Sequence, residues 1–325
     1  MVSRKEQVKR AIRMQGPDYV PLFIFDGERD DSDIIQIDLE RFYLGAERSI
    51  TEWGYKWDND NPDIPMGAPI NPPIPTWETF EDYRKTKAPD PFDKSRFAET
   101  AGIMQKYGSG HYYMGSLYLT GFTIMAFLRG FCNLLEDFYL ERGNLERLAD
   151  LVFGIENGIV GQMKAYGFDG VSFWDDWGTQ TGMIVNPKLF REVFKPRYEK
   201  QFAYAHDCGL DVFFHTCGNV PEIIPDLIEA GVDMLNLGQP DIIGIEELGR
   251  QFGGKVCFCS PVSYQTTSLS GTVEDVDGEV KRLVDSMGPY NGGLIAYIIN
   301  YQKMGMPREN YEAIINAFKK YGAYR

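Results

Sequence analysis

The sequence is poor in the residues that most often announce a function. It holds five Cys and three His in 325 residues. Five unevenly spaced Cys, an odd number, make no disulfide framework, and a reducing cytoplasm is the expected home. Basic residues are also in deficit: 33 Lys plus Arg stand against 47 Asp plus Glu, a formal net charge of −14 with a pI near 4.8. With no Lys/Arg-rich run, that balance excludes duplex nucleic acid, whose phosphates require a basic footprint. It speaks equally against anionic lipid. No apolar stretch approaches the roughly 18 residues of a membrane span. The opening MVSRKEQVKRAIRMQGPDYV reads as a charged amphipathic helix without the apolar core of a secretion signal. A Walker loop, a Ser nucleophile elbow and a His-Glu-x-x-His motif are all missing.

What is present is a globular composition, 43% hydrophobic and 25% charged, which sets aside disorder and coiled coil. Aromatics at 14% exceed what a core needs and hint at a flat or apolar ligand. Residues 58–95 are rich in Pro, Asp and Asn and read as one long loop-like arm, expected either to close over a site or to pair subunits in a homo-oligomer. Elsewhere short apolar runs alternate with helical-period segments. The strand candidates are Val20–Phe25, His111–Leu117, Gly170–Trp174, Leu210–His215, Val232–Leu237, Lys255–Ser260 and Gly293–Ile299.

Between them, Asn144–Tyr166 spaces Leu145, Leu148, Val152, Ile155, Ile159 and Met163 as one buried stripe. Asn186-Pro187 opens a helix, with Asn as N-cap, that runs to Cys208, stops at Gly209 and kinks at Pro196. Pro221–Ala230 closes at Gly231, Thr272-Val-Glu-Asp275 reads as a capping box, and Pro307–Tyr321 is a last amphipathic helix. Strand followed by helix over some 300 residues predicts a parallel sheet. No glycine-rich fingerprint follows the first strand, which disfavours a doubly wound sheet. The expected fold is an α/β (β/α)8 TIM barrel spanning 1–325, with an N-terminal helical extension and the long Pro-rich arm; such barrels need ~250 residues.

Active residues of a barrel sit where strands end on one face. Here those ends read FDGERDD, WDDWGTQ, HTCGN, NLGQPD, CFCS and YIINYQ. His215 and Cys217, two apart, would face the mouth together and make half of a tetrahedral zinc site. Cys257 and Cys259 are candidates for the third ligand. The competing reading makes these Cys small buried hydrophobes and His215 a hydrogen-bonded core residue. Cys132, Cys208, His111 and His206 read as structural. Asp175 and Asp176, the catalytic candidates, follow an apolar strand, so at least one is expected in the pocket as general acid, general base or metal ligand; the competing reading of each is a cap on the following turn. Trp177, Gln180, Gln239, Tyr297 and Asn300 are the substrate-binding candidates. Of the aromatics near the strand ends, Tyr112, Tyr113, Trp174, Trp177 and Tyr297 either flank a flat substrate or belong to the core.

Taken together, LRGFCNLLEDF, the run from FDGVSFWDDWGTQ through HTCGN to NLGQPD, GTVEDV and MPRENYEAIINAF resemble the uroporphyrinogen decarboxylase superfamily along nearly the whole chain. The resemblance implies a (β/α)8 barrel. It also implies one of two activities. The decarboxylases use no cofactor and carry an Arg-containing loop for substrate carboxylates after the first strand; that place here is FDGERDD, where Arg29 is surrounded by acids. The corrinoid-dependent methyltransferases often hold zinc with a His-x-Cys strand end and a later Cys. His215 and Cys217 match, whereas the late Cys is replaced by Tyr297-Ile-Ile-Asn300. The expectation is transfer of a methyl group from a small donor, an aryl methyl ether by preference, to the cobalt of a corrinoid carried by a partner protein, with zinc and Asp175 or Asp176 assisting the leaving oxygen. The alternatives are methyl transfer from the corrinoid to a thiol or folate, and cofactor-free decarboxylation.

Overall fold

The computed structural model describes residues 2–25, 30–40, 49–60, 67–300, 302 and 305–324. Arg29 and most of FDGERDD lie outside them. Ten strands are present among the described residues: β1 Leu22–Ile24, β2 Ile34–Asp38, β3 Lys56–Asp58, β4 Ala68–Ile70, β5 Tyr112–Leu117, β6 Gly170–Trp174, β7 Asp211–Thr216, β8 Met234–Leu237, β9 Cys257–Ser260 and β10 Leu294–Ile298. Eight form one parallel sheet in the order β1-β10-β9-β8-β7-β6-β5-β2, and β3 pairs antiparallel with β4. Helices cover the outside of the eight, giving the (β/α)8 barrel.

The barrel closes where β1 meets β2, and side chains substitute for part of the ladder there. The Leu22 N–H donates to Asp33 Oδ2 (2.8 Å), the Ile24 N–H donates to Ser32 Oγ (3.0 Å), and the Asp33 N–H returns to the Leu22 carbonyl (2.7 Å). Strand β2 is the one barrel strand absent from the strand candidates of the sequence. Asp30, Asp31 and Asp33 crowd its start and Gln36 and Asp38 interrupt it, so its three Ile form only a short apolar run.

Inward side chains alternate with outward ones, as strand geometry requires. Phe23, Ile34, Tyr112, Met114, Trp174, Phe213, Met234, Cys257, Cys259, Ile295 and Tyr297 fill the interior. The N-terminal helix Arg4–Ile12 adds Val8, Ala11 and Ile12 to that cluster and so stops the barrel's N-terminal end. Charges ring the plug: Lys5 pairs with Asp169 at 2.8 Å and Arg13 with Asp211 at 2.6 Å, both acids sitting at strand starts.

Asn186 caps its helix by accepting from the Lys188 N–H at 2.9 Å, and Thr272 with Asp275 forms the capping box. The helix expected over 186–208 is two, Pro187–Val193 and Lys195–Asp207. Pro196 offers no N–H to the turn before it and disfavours helical backbone at the residue ahead, so the chain breaks instead of bending. The described residues of the 58–95 stretch are more ordered than its composition predicts. They contain strand β4, which pairs with β3 at the edge of the stretch, the helix Phe80–Thr86 and short 3-10 turns, with Ile74, Phe80 and Tyr83 buried. Just beyond it, the buried Arg96 ties the stretch down, pairing with Glu52 at 3.0 Å and donating to the Leu39 and Asp90 carbonyls. Among the described residues no helix is long and apolar enough to cross a membrane.

The plug's contribution is apolar more than ionic. A Val8→Asp substitution puts an unpaired carboxylate into the closed barrel and is expected to cost about 3 kcal/mol or more in urea unfolding. Arg13→Ala, at a half-exposed position, is expected to cost about 1 kcal/mol or less.

Candidate metal centre

Strands β6 and β7 are neighbours in register, Trp174 opposite His215. Trp174 and Phe213 point inward, so the residues two further along, Asp176 and His215, face the same way, and Cys217 follows His215. The result is a cluster at the C-terminal mouth. The Cys217 N–H donates to Asp176 Oδ1 at 2.8 Å, His215 Nε2 lies 3.5 Å from that oxygen, and Cys217 Sγ lies 3.3 Å from His215 Nε2. The three ligand atoms all fall within 4.8 Å of one another.

His215 is aimed by the next strand. Its Nδ1 bonds the side-chain oxygen of Asn236, whose amide donates to the Cys259 carbonyl. That amide orientation makes Nδ1 the protonated nitrogen and leaves Nε2 facing the sulfur and the carboxylate. Trp174 packs on the imidazole with ring centroids 4.4 Å apart. Backbone closeness also matters. A side chain on Gly218 (φ +85°) would collide with the Gly178 backbone, and Gln239 pins that turn by accepting the Gly218 N–H at 2.7 Å.

Electrostatics bind the three together. Burial pushes the His215 pKa down, but the Cys217 sulfur and the Asp176 carboxylate raise it more, to about 10. Burial would raise Asp176, yet its hydrogen bond and charge interaction with His215 and the Cys217 N–H hold it below the usual carboxylate range. A site that stabilises positive charge between a carboxylate and a sulfur suits a cation. The spacing suits zinc: with Zn–S near 2.3 Å and Zn–N or Zn–O near 2.0–2.2 Å, tetrahedral edges come to roughly 3.4–3.6 Å. The 3.5 Å separation of His215 and Asp176 falls in that range, the 3.3 Å separation of His215 and Cys217 lies just below it, and the whole set spans no more than 4.8 Å.

Other expected site residues are placed differently. Asp175 alternates outward and caps the helix Gly121–Arg129. It accepts from the Phe122 and Thr123 N–H groups and the Thr123 hydroxyl at 2.8 Å each, and from the Tyr198 hydroxyl. Cys257 and Cys259 do not join the cluster; both are buried in the barrel interior, and burial raises both thiol pKa values. Trp177 is fully buried on the helix side, stacked on Phe122 and donating to Tyr198 at 3.2 Å, so it offers no face to a guest at the mouth. Gln180 is exposed on its turn, Asn300 accepts from the Gln302 N–H at 3.1 Å, and Tyr297 packs among Phe23, Phe25 and Trp174. Sequence reasoning missed Asn236. Its signal was present: one polar residue on the inward face of Met-Leu-Asn-Leu, two after Met234. Tyr118, stacked on Phe25 at 6.3 Å, was also missed.

Fold and site together define a (β/α)8 barrel with its polar groups gathered at the C-terminal ends of the strands. A family model for uroporphyrinogen decarboxylase (URO-D) matches residues 63–321, and the chain belongs to that family. Among solved structures, a methyltransferase from Methanosarcina mazei superposes with a TM-score of 0.70 at 15% identity, over 98% of this chain and 99% of that one, a likeness of fold. A glycoside hydrolase family 10 endo-beta-1,4-xylanase from Gloeophyllum trabeum overlaps with a TM-score of 0.41 at 9% identity, over 68% of this chain and 80% of that one. No curated protein sequence matches significantly.

Behind the cluster, Asp175 and the buried Glu156 both serve the N-terminus of Gly121–Arg129, Glu156 accepting from the Gly121 N–H and from Gln201 at 2.8 Å each. Burial raises Asp175 to about 7 and Glu156 to about 8. Both values exceed those of an unfolded chain, near 4, so the folded form holds protons that the unfolded form releases. Their contribution is complete below about pH 4 and is lost as pH rises towards 8. The urea midpoint is therefore expected to fall between about pH 5 and pH 8. Glu156→Gln should flatten that dependence, because it removes one of the two titrating carboxyls, while a flipped Gln201 can accept from the new amide through its unpartnered oxygen and keep the contact. An unchanged slope in the variant would contradict the assignment.

Proposed function

We propose that this chain is a cytoplasmic methyltransferase that moves a methyl group from a small donor, an aryl methyl ether by preference, to the cobalt of a corrinoid on a separate protein. The observation that carries the reading is the meeting of Asp176, His215 and Cys217 within 4.8 Å of one another in the barrel mouth. The full-length likeness of fold to the Methanosarcina methyltransferase supports it. Asp176, His215 and Cys217 would hold zinc, with Asn236 fixing the imidazole. Zinc there supplies Lewis acidity to the donor oxygen.

In such a transfer the donor's carbon–oxygen bond would break as the methyl group passes to the partner's reduced Co(I) corrinoid, with the oxygen leaving as phenolate. Phenolate is a tolerable leaving group, so modest assistance is enough. The chain's own residues provide the setting. Phe25, Tyr118, Trp174 and Tyr297 form an aromatic wall beside His215, suited to a flat ring. Asp38 at the end of β2 and Asp176 both act on Tyr118, whose hydroxyl is pushed up to about 12 by burial first and by these acids second. Such an acidic mouth disfavours the polycarboxylate tetrapyrrole that a decarboxylase would bind.

Metal analysis with a reduced Co(I) corrinoid protein and a panel of aryl methyl ethers tests the proposal. About one zinc per chain is expected, with the spectrum of methyl-Co(III) appearing. Cys217→Ala should lower zinc content and slow transfer by about a hundredfold. Full turnover by zinc-free protein would remove the Lewis-acid role; no methyl-Co(III) from any donor would reject the reaction.

A further inference from the structure

The metal centre has a neighbour on an element that contributes none of its three ligand-type side chains. Tyr264 lies in the loop after β9, and its hydroxyl stands 3.8 Å from Cys217 Sγ, within reach of an O–H···S hydrogen bond. The loop is held firmly at the preceding residue. The Ser263 N–H donates to the buried Glu279 carboxylate at 2.6 Å, the Ser263 hydroxyl donates to Asp241 at 3.1 Å, and the Ser268 N–H returns to the Ser263 carbonyl at 2.8 Å. The space in which hydroxyl and sulfur meet exists because residue 238 is glycine. A Cβ there would stand 2.6 Å from Cys217 Sγ and 3.4 Å from both His215 Cε1 and the Tyr264 hydroxyl. An anchored phenol and a missing side chain thus converge on one sulfur.

We propose that Tyr264 is a positioning residue of the metal centre, donating a hydrogen bond to the Cys217 sulfur and so setting how much charge that sulfur gives to a bound metal ion. The inference rests on the zinc reading above. A donor aimed at a thiolate withdraws electron density from it, which leaves the metal a stronger Lewis acid towards the substrate oxygen and fixes the side-chain rotamer. Neither effect requires Tyr264 to touch substrate.

The test replaces zinc by Co(II) in the full-length protein and compares wild type with Tyr264→Phe, which keeps the ring and removes only the hydroxyl. Thermal melting checks that the variant is folded. The sulfur-to-cobalt charge-transfer band is expected to move to longer wavelength in the variant, because a thiolate without its hydrogen bond gives up charge more readily. An identical band in both proteins would overturn the role of Tyr264 and leave the metal site standing. A wild-type protein with no sulfur-to-cobalt band would overturn the zinc reading, and this inference with it.

Discussion

The parallel register between β6 and β7 is the constraint on which the site depends. With Trp174 opposite His215, the side-chain period of two carries Asp176 and Cys217 to adjacent positions above the last layer of the barrel. A one-residue slip would turn Asp176 towards the helices and bring Asp175 into the mouth. The bond from the Cys217 N–H to Asp176 then locks the two strand ends together, and the imidazole between them is fixed from the other side by Asn236 on β8. Three neighbouring strands therefore supply the three ligand-type side chains and the amide that aims the imidazole.

Adjacent acids with opposite duties follow from the same alternation. Asp176 faces the mouth, where His215 favours its charged form, while Asp175 faces the helical layer, where burial favours its neutral form. The outward acid still serves the inward one. Thr123, whose hydroxyl donates to Asp175, accepts the Asp176 N–H at 3.0 Å, so the helix cap and the site share one residue. Stability and function meet at a single dipeptide.

Much of this was readable from residue order. The apolar runs exposed seven of the barrel strands, and His-x-Cys at a strand end announced two ligand-type side chains on one face. The third was harder. Cysteine is the more familiar zinc ligand, which drew attention to Cys257 and Cys259; yet β9 lies two strands from β7, roughly 9–10 Å across the sheet, whereas β6 is its immediate neighbour. Strand order is a property of the closed barrel and not of local sequence. Asp175 and Trp177 misled for a related reason, since both are polar or aromatic residues at a strand end whose direction only the register decides. Tyr264 gave no local signal at all, because it enters from a loop whose path is set by the buried Glu279.

Zinc K-edge X-ray absorption on the zinc-loaded protein addresses the central claim most directly, because it counts sulfur neighbours. One sulfur at about 2.3 Å with nitrogen and oxygen at about 2.0–2.1 Å is the pattern that Asp176, His215 and Cys217 demand. Two sulfur neighbours would bring Cys257 or Cys259 back to the metal, and a shell without sulfur would remove Cys217; either result contradicts the site described above.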